Sequence, residues 1–333
     1  LDGTLNYSTV SETTEDGPLR ARLLETLLAG VPVDVILQRA RASNPNAHEI
    51  KRHLEGIVRD LQAASHRREA AKAYALWMAS VHRSLSGSSG IDVTTTLTPD
   101  EFFRDYYEMN WPVHIRGLDA NCTLSRWTFD ALRAEFGALP VQIMRDRIYG
   151  VPDYRDPEKH RSTMLLADFI DEIHVKNTND IYLTSFNSAM SGPLRAMFDG
   201  FEPLPGILIS PIGDSSLWIG PAGAKTPLHY DKTNVMLVQL IGMKRVTLYP
   251  PHDEPFLYHD EDLFNGKVDA FAPDERKHPL YRFASPHAVN IAAGEALFIP
   301  VSWWHAVESL TPTMSISISS FGASENYFPS NLF

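Results

Sequence analysis

The sequence predicts a mainly β domain, an antiparallel barrel or sandwich, preceded by an all-helical unit. From "DIYLTSF" (180–186) onward, short β-prone runs succeed one another: "SLWIG", "NVMLVQL", "RVTLYP", "HAVNIAA", "EALFIP" and "MSISISSF". Gly and Pro punctuate these runs, and no long helical pattern separates them, which argues against βαβ units. Before Gly90 the texture differs, because apolar residues there recur with helical spacing.

Taken in order, residues 1 to 15 are polar and read as a loose tail. Asp16 then caps a helix, Pro18 suits its first turn, and Leu19, Leu23, Leu24, Leu27 and Leu28 form one apolar face until Gly30 and Pro32 stop it. A second helix is predicted over Val33 to Ala42, ended by "SNPN". A third carries Ile50, Leu54, Ile57, Val58 and Leu61, and a fourth carries Ala70, Tyr74, Trp77, Met78 and Val81. "SLSGSSG" (84–90) is a joint. The chain thus divides into a helical N-terminal region, 1–90, and a β-rich domain, 91–333. The helical region is expected to cap the main domain, to dimerise or to contact substrate; its aromatic stripe reads as core before it reads as a binding face.

After Gly90, Thr98 caps a predicted helix over Pro99 to Tyr107, "WPVHIRG" (111–117) reads as a strand, and Trp127 to Phe136 as a helix. "LPVQIM" reads as a strand and Asp168 to Ile173 as a short helix.

Composition narrows the function. The 333 residues are 44% hydrophobic and 21% charged, enough for a large core. The net charge of −11 argues against nucleic acid or an anionic membrane as the main partner. The one cysteine, Cys122, excludes a disulfide within the chain and a cysteine-based zinc site, and suits a reducing compartment, read here as cytoplasmic. There is no run of 18 apolar residues, and the first residues lack the features of a signal peptide, so no membrane span is expected.

The chemistry gathers in "TPLHYDKTNVMLVQLIGMKRVTLYPP" (226–251). In an extended strand His229 and Asp231 point to one side. With a second His they would make the 2-His-1-carboxylate set of non-haem Fe(II) sites. On their own they read first as a surface turn. "GEALFIPVSWWHAVESL" (294–310) places His305 just after an apolar strand, 76 positions beyond His229, with Trp303 and Trp304 able to wall a dry cavity or simply to fill the core. Gly242 turns the chain, after which Lys244, Val246 and Leu248 share an apolar face. A lysine there either snorkels out, pairs with a structural carboxylate, or grips an anionic cosubstrate.

These two stretches resemble the JmjC-type cupins, the Fe(II)- and 2-oxoglutarate-dependent oxygenases, and within them the hydroxylase branch that includes the asparaginyl hydroxylase of hypoxia signalling. The likeness runs over roughly 98–322, taking in "WPVHIRG", "IYLTSF" and "VDAFAPDERKHPLYRF". It implies a double-stranded β-helix (jelly roll) with flanking helices. It implies that His229, Asp231 and His305 bind Fe(II), that Lys244 and Thr226 hold the far carboxylate of 2-oxoglutarate, and that Tyr182 supports the cosubstrate. Many members carry Asn four residues after the Asp ligand; here Val235 stands there and the Asn is Asn234, which a bulge would realign. Ser320 falls where some members carry Asn on the last strand.

The implied reaction uses O2 and 2-oxoglutarate to hydroxylate an amino-acid side chain in a peptide or protein, releasing succinate and CO2. Alternatives are Nε-methyl-lysine demethylation, hydroxylation of a free amino acid or another small molecule, a modified tRNA base, or, outside catalysis, a silent metal-binding cupin that serves as an interaction module. His252, His259, His278 and His287, in or near the 252–287 insert, read as solvent-facing or structural, and the insert is expected to border the substrate entrance. If the chain dimerises, the N-terminal helices are the expected surface.

Overall fold

A computed structural model describes residues 90–118, 127–147, 157–184, 193–209, 215–259 and 264–322, with 23, 52–54, 56 and 57 before them. The chain forms two compact units, 1–74 and 75–333. In the first, Leu23, Leu54 and Ile57 are buried, each on a predicted apolar face. The rest of the predicted helical region, the dimer surface expected on it, Cys122 and the end of "DIYLTSF" lie outside the described residues.

Among the described residues the second unit holds twelve strands: β1 Asp92–Thr94, β2 Val113–Ile115, β3 Pro140–Met144, β4 Arg161–Leu165, β5 Ser215–Gly220, β6 Lys225–Tyr230, β7 Val235–Ile241, β8 Met243–Tyr249, β9 His287–Ala292, β10 Glu295–Ile299, β11 Trp304–Ser309 and β12 Thr313–Ile318. Six form one sheet in the order β1-β2-β10-β7-β12-β5, four form a second in the order β6-β11-β8-β9, and β3 pairs with β4. From β5 onward the chain passes between the two large sheets, which gives the jelly-roll core, a double-stranded β-helix.

The apolar runs follow from this layering. On β7, Met236, Val238 and Leu240 point outward into a cluster shared with Leu166, Phe169 and Ile170 of the helix Leu166–Val175. Val235 and Leu237 point inward and meet Val246 and Leu248 of β8. A strand covered on both faces reads as a continuous apolar run because neither face needs polar residues.

The flanking helices start where expected. Thr98 and Glu101 form a reciprocal capping box ahead of Pro99–Phe102, and Thr128 caps Phe129–Phe136 through the backbone N–H of Ala131. The predicted helix over 99–107 differs in kind, since Phe103–Tyr107 is a π-helical turn. The wider turn accompanies an aromatic cluster in which Phe102 and Tyr107 both pack on Phe298 and Phe321. The helix predicted over 168–173 extends to Leu166–Val175. Strand β4, "RSTML", has no apolar alternation to announce it and is held by pairing with β3. Among the described residues no helix is long and apolar enough to cross a membrane.

Two details fix neighbouring strands, one at the turn from sheet to sheet and one within the larger sheet. Gly242, between β7 and β8, has φ 74°, and a Cβ there would lie 2.1 Å from the carbonyl oxygen of Pro312. His114 on β2 is buried, with Nε2 2.9 Å from Glu295 Oε2 on β10. Burial lowers the His114 pKa below its ordinary value, against the opposing pull of Glu295.

Gly242→Ala should lower stability by about 2 kcal/mol or more, read from the urea midpoint, since the left-handed backbone and the contact with Pro312 both penalise a side chain; an unchanged midpoint would refute this. Because the folded state depresses the His114 pKa, its contribution is complete above the unfolded value and is lost as pH falls through the folded one. The urea midpoint should therefore drop on acidification below about pH 6.5 and drop less in His114→Asn. Equal slopes would assign the acid sensitivity elsewhere.

Candidate active site

The metal-ligand candidates come from the inner face of the smaller sheet. Leu248 of β8 pairs with His305 of β11, which pairs with His229 of β6. Beyond β6, Asn265 of the insert forms an isolated bridge with His229. Leu248, His305, His229 and Asn265 therefore make one row across the sheet, and the two imidazole centroids lie 4.2 Å apart. His305 stands inside β11, not at the exit of the preceding strand as the sequence suggested.

A bulge sets which side chains face inward. His305 pairs with His229, but Val307 pairs with Thr226, so Pro227 and Leu228 together oppose Ala306. Three residues apart on a regular strand, Thr226 and His229 would face opposite ways. The extra residue brings both to the cavity. Leu228 and Tyr230 then pack outward around Trp304 and Ala306.

Each imidazole is held by its own strand. His229 Nδ1 lies 2.9 Å from the Pro227 carbonyl and His305 Nδ1 lies 3.0 Å from that of Trp303. A carbonyl only accepts, so each Nδ1 donates its proton there, and each Nε2 is the ring nitrogen turned toward Asp231. Burial, then the neighbouring His229, push the His305 pKa down to about 4, so the ring is neutral. Asp231 Oδ1 is 3.9 Å from His229 Nε2, and Oδ2 is 3.6 Å from His305 Nε2. These separations exceed hydrogen bonds. One ligand atom from each of the three residues can lie within 4.8 Å of the others. Two neutral nitrogens and a carboxylate converging on one point, not on each other, fit a first-row divalent ion.

The cavity has a volume of about 580 Å3, and Thr226, Tyr182 and Lys244 line it with the three ligand candidates. Lys244 is 2% exposed. Its ammonium reaches across the barrel to donate to Ser315 Oγ on β12 at 2.6 Å and to Tyr182 Oη at 3.2 Å. Among the described residues no carboxylate forms a salt bridge with it. A buried cation met, among the described residues, by hydroxyls is suited to pair with an anion that enters the cavity.

Two predicted positions are not brought to this site. Asn234 turns away from the cavity, and its Oδ1 accepts from the Val301 N–H at 2.7 Å. No bulge realigns it, because β10 and β7 stay in unbroken register from Glu295↔Gln239 to Ile299↔Val235, so Val235 faces the cavity instead. Ser320 is out of phase with β12. Alternation brings Ser315 to Lys244 and sets Ser317 and Ser319 on the cavity wall, while the Ser320 carbonyl accepts from Ile209. Ser315 was readable from the period-two pattern of "MSISISS". Arg147 also lines the cavity, 5.0 Å from the Tyr182 ring, with its guanidinium on Asn179 Oδ1 and the Lys225 carbonyl. Trp303 and Trp304 do not line it; they pack into the inner and outer cores of the sheet.

The insert does border the cavity, through Phe264 and Asn265. Its histidines serve structural contacts: His259 Nδ1 is 2.7 Å from Glu254, and His278 is buried against Tyr258.

The cupin-like domain family matches residues 99–327. The chain is similar to human HSPB1-associated protein 1, 43% identical over 114 residues, which is 32% of this chain and 23% of that protein. It is similar to lysine-specific demethylase 8 of Xenopus tropicalis, 28% identical over 235 residues, 65% of this chain and 50% of the relative. It is similar to lysine-specific demethylase JMJ30 of Arabidopsis thaliana, 28% identical over 241 residues, 68% and 54% of the respective chains. The chain thus spans about half the length of these relatives or less.

Metal-free protein should bind one Fe(II) or Co(II) per chain in a calorimetric titration. Asp231→Ala or His305→Ala should weaken binding by on the order of 100-fold; unchanged affinity in both variants would remove the metal from this site.

Proposed function

The chain belongs to the cupin-like family of JmjC-type Fe(II)- and 2-oxoglutarate-dependent oxygenases, and from that premise we propose that it hydroxylates an amino-acid side chain of a peptide or protein. The observation that carries the reading is the buried ammonium of Lys244, which lacks a carboxylate partner among the described residues and faces the same cavity as His229, Asp231 and His305.

In this reading His229, Asp231 and His305 hold Fe(II), and Lys244 pairs with the far carboxylate of 2-oxoglutarate. Thr226 and Ser315 add hydroxyl contacts to that carboxylate or to Lys244, and Tyr182 holds the ammonium in place. Bound iron with 2-oxoglutarate and O2 supplies the oxidation of a C–H bond to C–OH, with release of succinate and CO2. The chain's own share is orientation and dryness. The carbonyls of Pro227 and Trp303 fix the two imidazoles, and Val235, Leu237 and Ile299 keep the inner wall apolar.

A protein substrate agrees with relatives named for association with HSPB1 and for lysine demethylation. Demethylation of Nε-methyl-lysine is the second reading, favoured by those demethylase names. Against it, Asp231 is the single carboxylate among the described lining residues. It is taken up by the metal set, which leaves a cationic side chain without a counter-charge there. A cytoplasmic setting suits the single cysteine.

The test is Fe(II) and 2-oxoglutarate binding without oxygen, then oxygen admission and succinate measurement. Wild type should form succinate, and His229→Ala should not. Lys244→Ala should raise the 2-oxoglutarate KM by on the order of 100-fold, the cost of removing one partner of a buried charge pair. Absence of metal and cosubstrate binding in wild type would instead mark a silent cupin module.

A further inference from the structure

Asn265 continues the row of inward-facing side chains that contains His305 and His229. Its place is set by backbone pairing, not by its own side chain. The Tyr230 N–H donates to the Phe264 carbonyl and the Gly266 N–H donates to the Leu228 carbonyl, both at 3.0 Å, so residues 264–266 lie along the free edge of β6. The Tyr230 and Phe264 rings meet edge to face, with centroids 5.6 Å apart, and help to hold this added strand. Gly266 permits the close approach, since a Cβ there would lie 2.7 Å from Leu228 and 3.0 Å from the Leu257 carbonyl. Paired with the inward-facing His229, Asn265 lines the cavity, as does the neighbouring Phe264.

Directly opposed residues in an antiparallel pair carry their Cβ atoms about 5 Å apart. The Asn265 carboxamide is therefore a lateral neighbour of His229, on the open side of the imidazole row, away from Leu248. It makes no side-chain hydrogen bond among the described residues. It is half-buried and presents one donor and one acceptor to the space beside the metal-ligand atoms. Lys244, Tyr182 and Ser315 hold one another, whereas this amide, set opposite His229 by strand pairing, is placed to meet an incoming molecule.

We propose that Asn265 is a substrate-positioning residue whose carboxamide pairs with an amide group of the substrate, a peptide bond or a primary carboxamide, next to the carbon presented at the metal centre. An amide offers, in one planar unit, an acceptor for the Asn265 N–H and a donor for its Oδ1; a nucleobase edge does the same, but the net charge of −11 argues against nucleic acid. A cation would satisfy Oδ1 and leave the N–H groups unmet, and a carboxylate would do the reverse. The inference rests on the oxygenase reading and deepens it by naming the chemistry recognised beside the iron.

The probe is a pool of short acetylated and amidated peptides covering all side chains. It is offered to the full chain with Fe(II), 2-oxoglutarate and O2, and hydroxylation is read by mass as the gain of one oxygen. Asn265→Ala should raise the KM for a hydroxylated peptide about tenfold or more and raise the succinate formed per hydroxylated peptide, because a loosely held substrate misses turnovers. In wild type, replacing the recognised peptide N–H by an ester oxygen should raise KM; in Asn265→Ala it should not. The visible absorption of the anaerobic Fe(II)–2-oxoglutarate complex reports an intact site. If Asn265→Ala lacks it, Asn265→Ser is measured in its place. Wild-type KM and coupling in a variant that keeps the absorption would overturn the inference and leave the oxygenase reading standing. So would a wild type that shows the absorption yet hydroxylates no member of the pool. A wild type without absorption or succinate would overturn the oxygenase reading itself.

Discussion

The ammonium of Lys244, enclosed between two β sheets, is the constraint on which the rest of the site depends. Coulombic cost in a low-dielectric interior is large unless the charge is met. Here Ser315 on the facing sheet and Tyr182 at the cavity wall meet it only with neutral oxygens. Those contacts orient the charge without cancelling it. The apolar cluster that includes Val246 and Leu248 packs beside it and offers no polar partner. A barrel built this way holds an electrostatic demand inside its own core, and the architecture answers by leaving that core open at one end.

Orientation at the open end is obtained from backbone, not from long side-chain networks. Each histidine is fixed by the carbonyl two residues before it, which an extended strand supplies at no extra sequence cost. The bulge opposite Ala306 then resets the phase of β6 so that a hydroxyl three residues upstream joins the same wall. Asp231 follows the end of β6, 38% exposed, at the boundary between the dry interior and the mouth.

Much of this was legible in the residues because it obeys period two. His229 and Asp231, and likewise Lys244, Val246 and Leu248, stand at alternating positions, so their shared face can be read directly. Ser315 was equally readable, but an expectation carried from relatives drew attention to Ser320, one step out of phase. Asn234 shows the reverse: a shift was invoked to bring it inward, and the unbroken register of β7 with β10 forbids it. The bulge in β6 and the bridge between His229 and Asn265 were not legible, since each depends on pairing between segments far apart in the chain, which local pattern does not encode. The π-helical turn at Phe103–Tyr107 belongs with them, as ring packing against Phe298 and Phe321 accompanies it.

The added strand at 264–266 has a consequence for how such a protein can diversify. It comes from the long connection between β8 and β9, whereas the iron-ligand candidates and Lys244 come from the barrel strands themselves. Under the proposed roles, the residues that hold the metal and the residue that positions the substrate are thus encoded in separate stretches of chain that adjoin at the edge of β6. On the same proposed roles, a change at Asn265 would alter which molecule is held while leaving His229, Asp231, His305 and Lys244 in place.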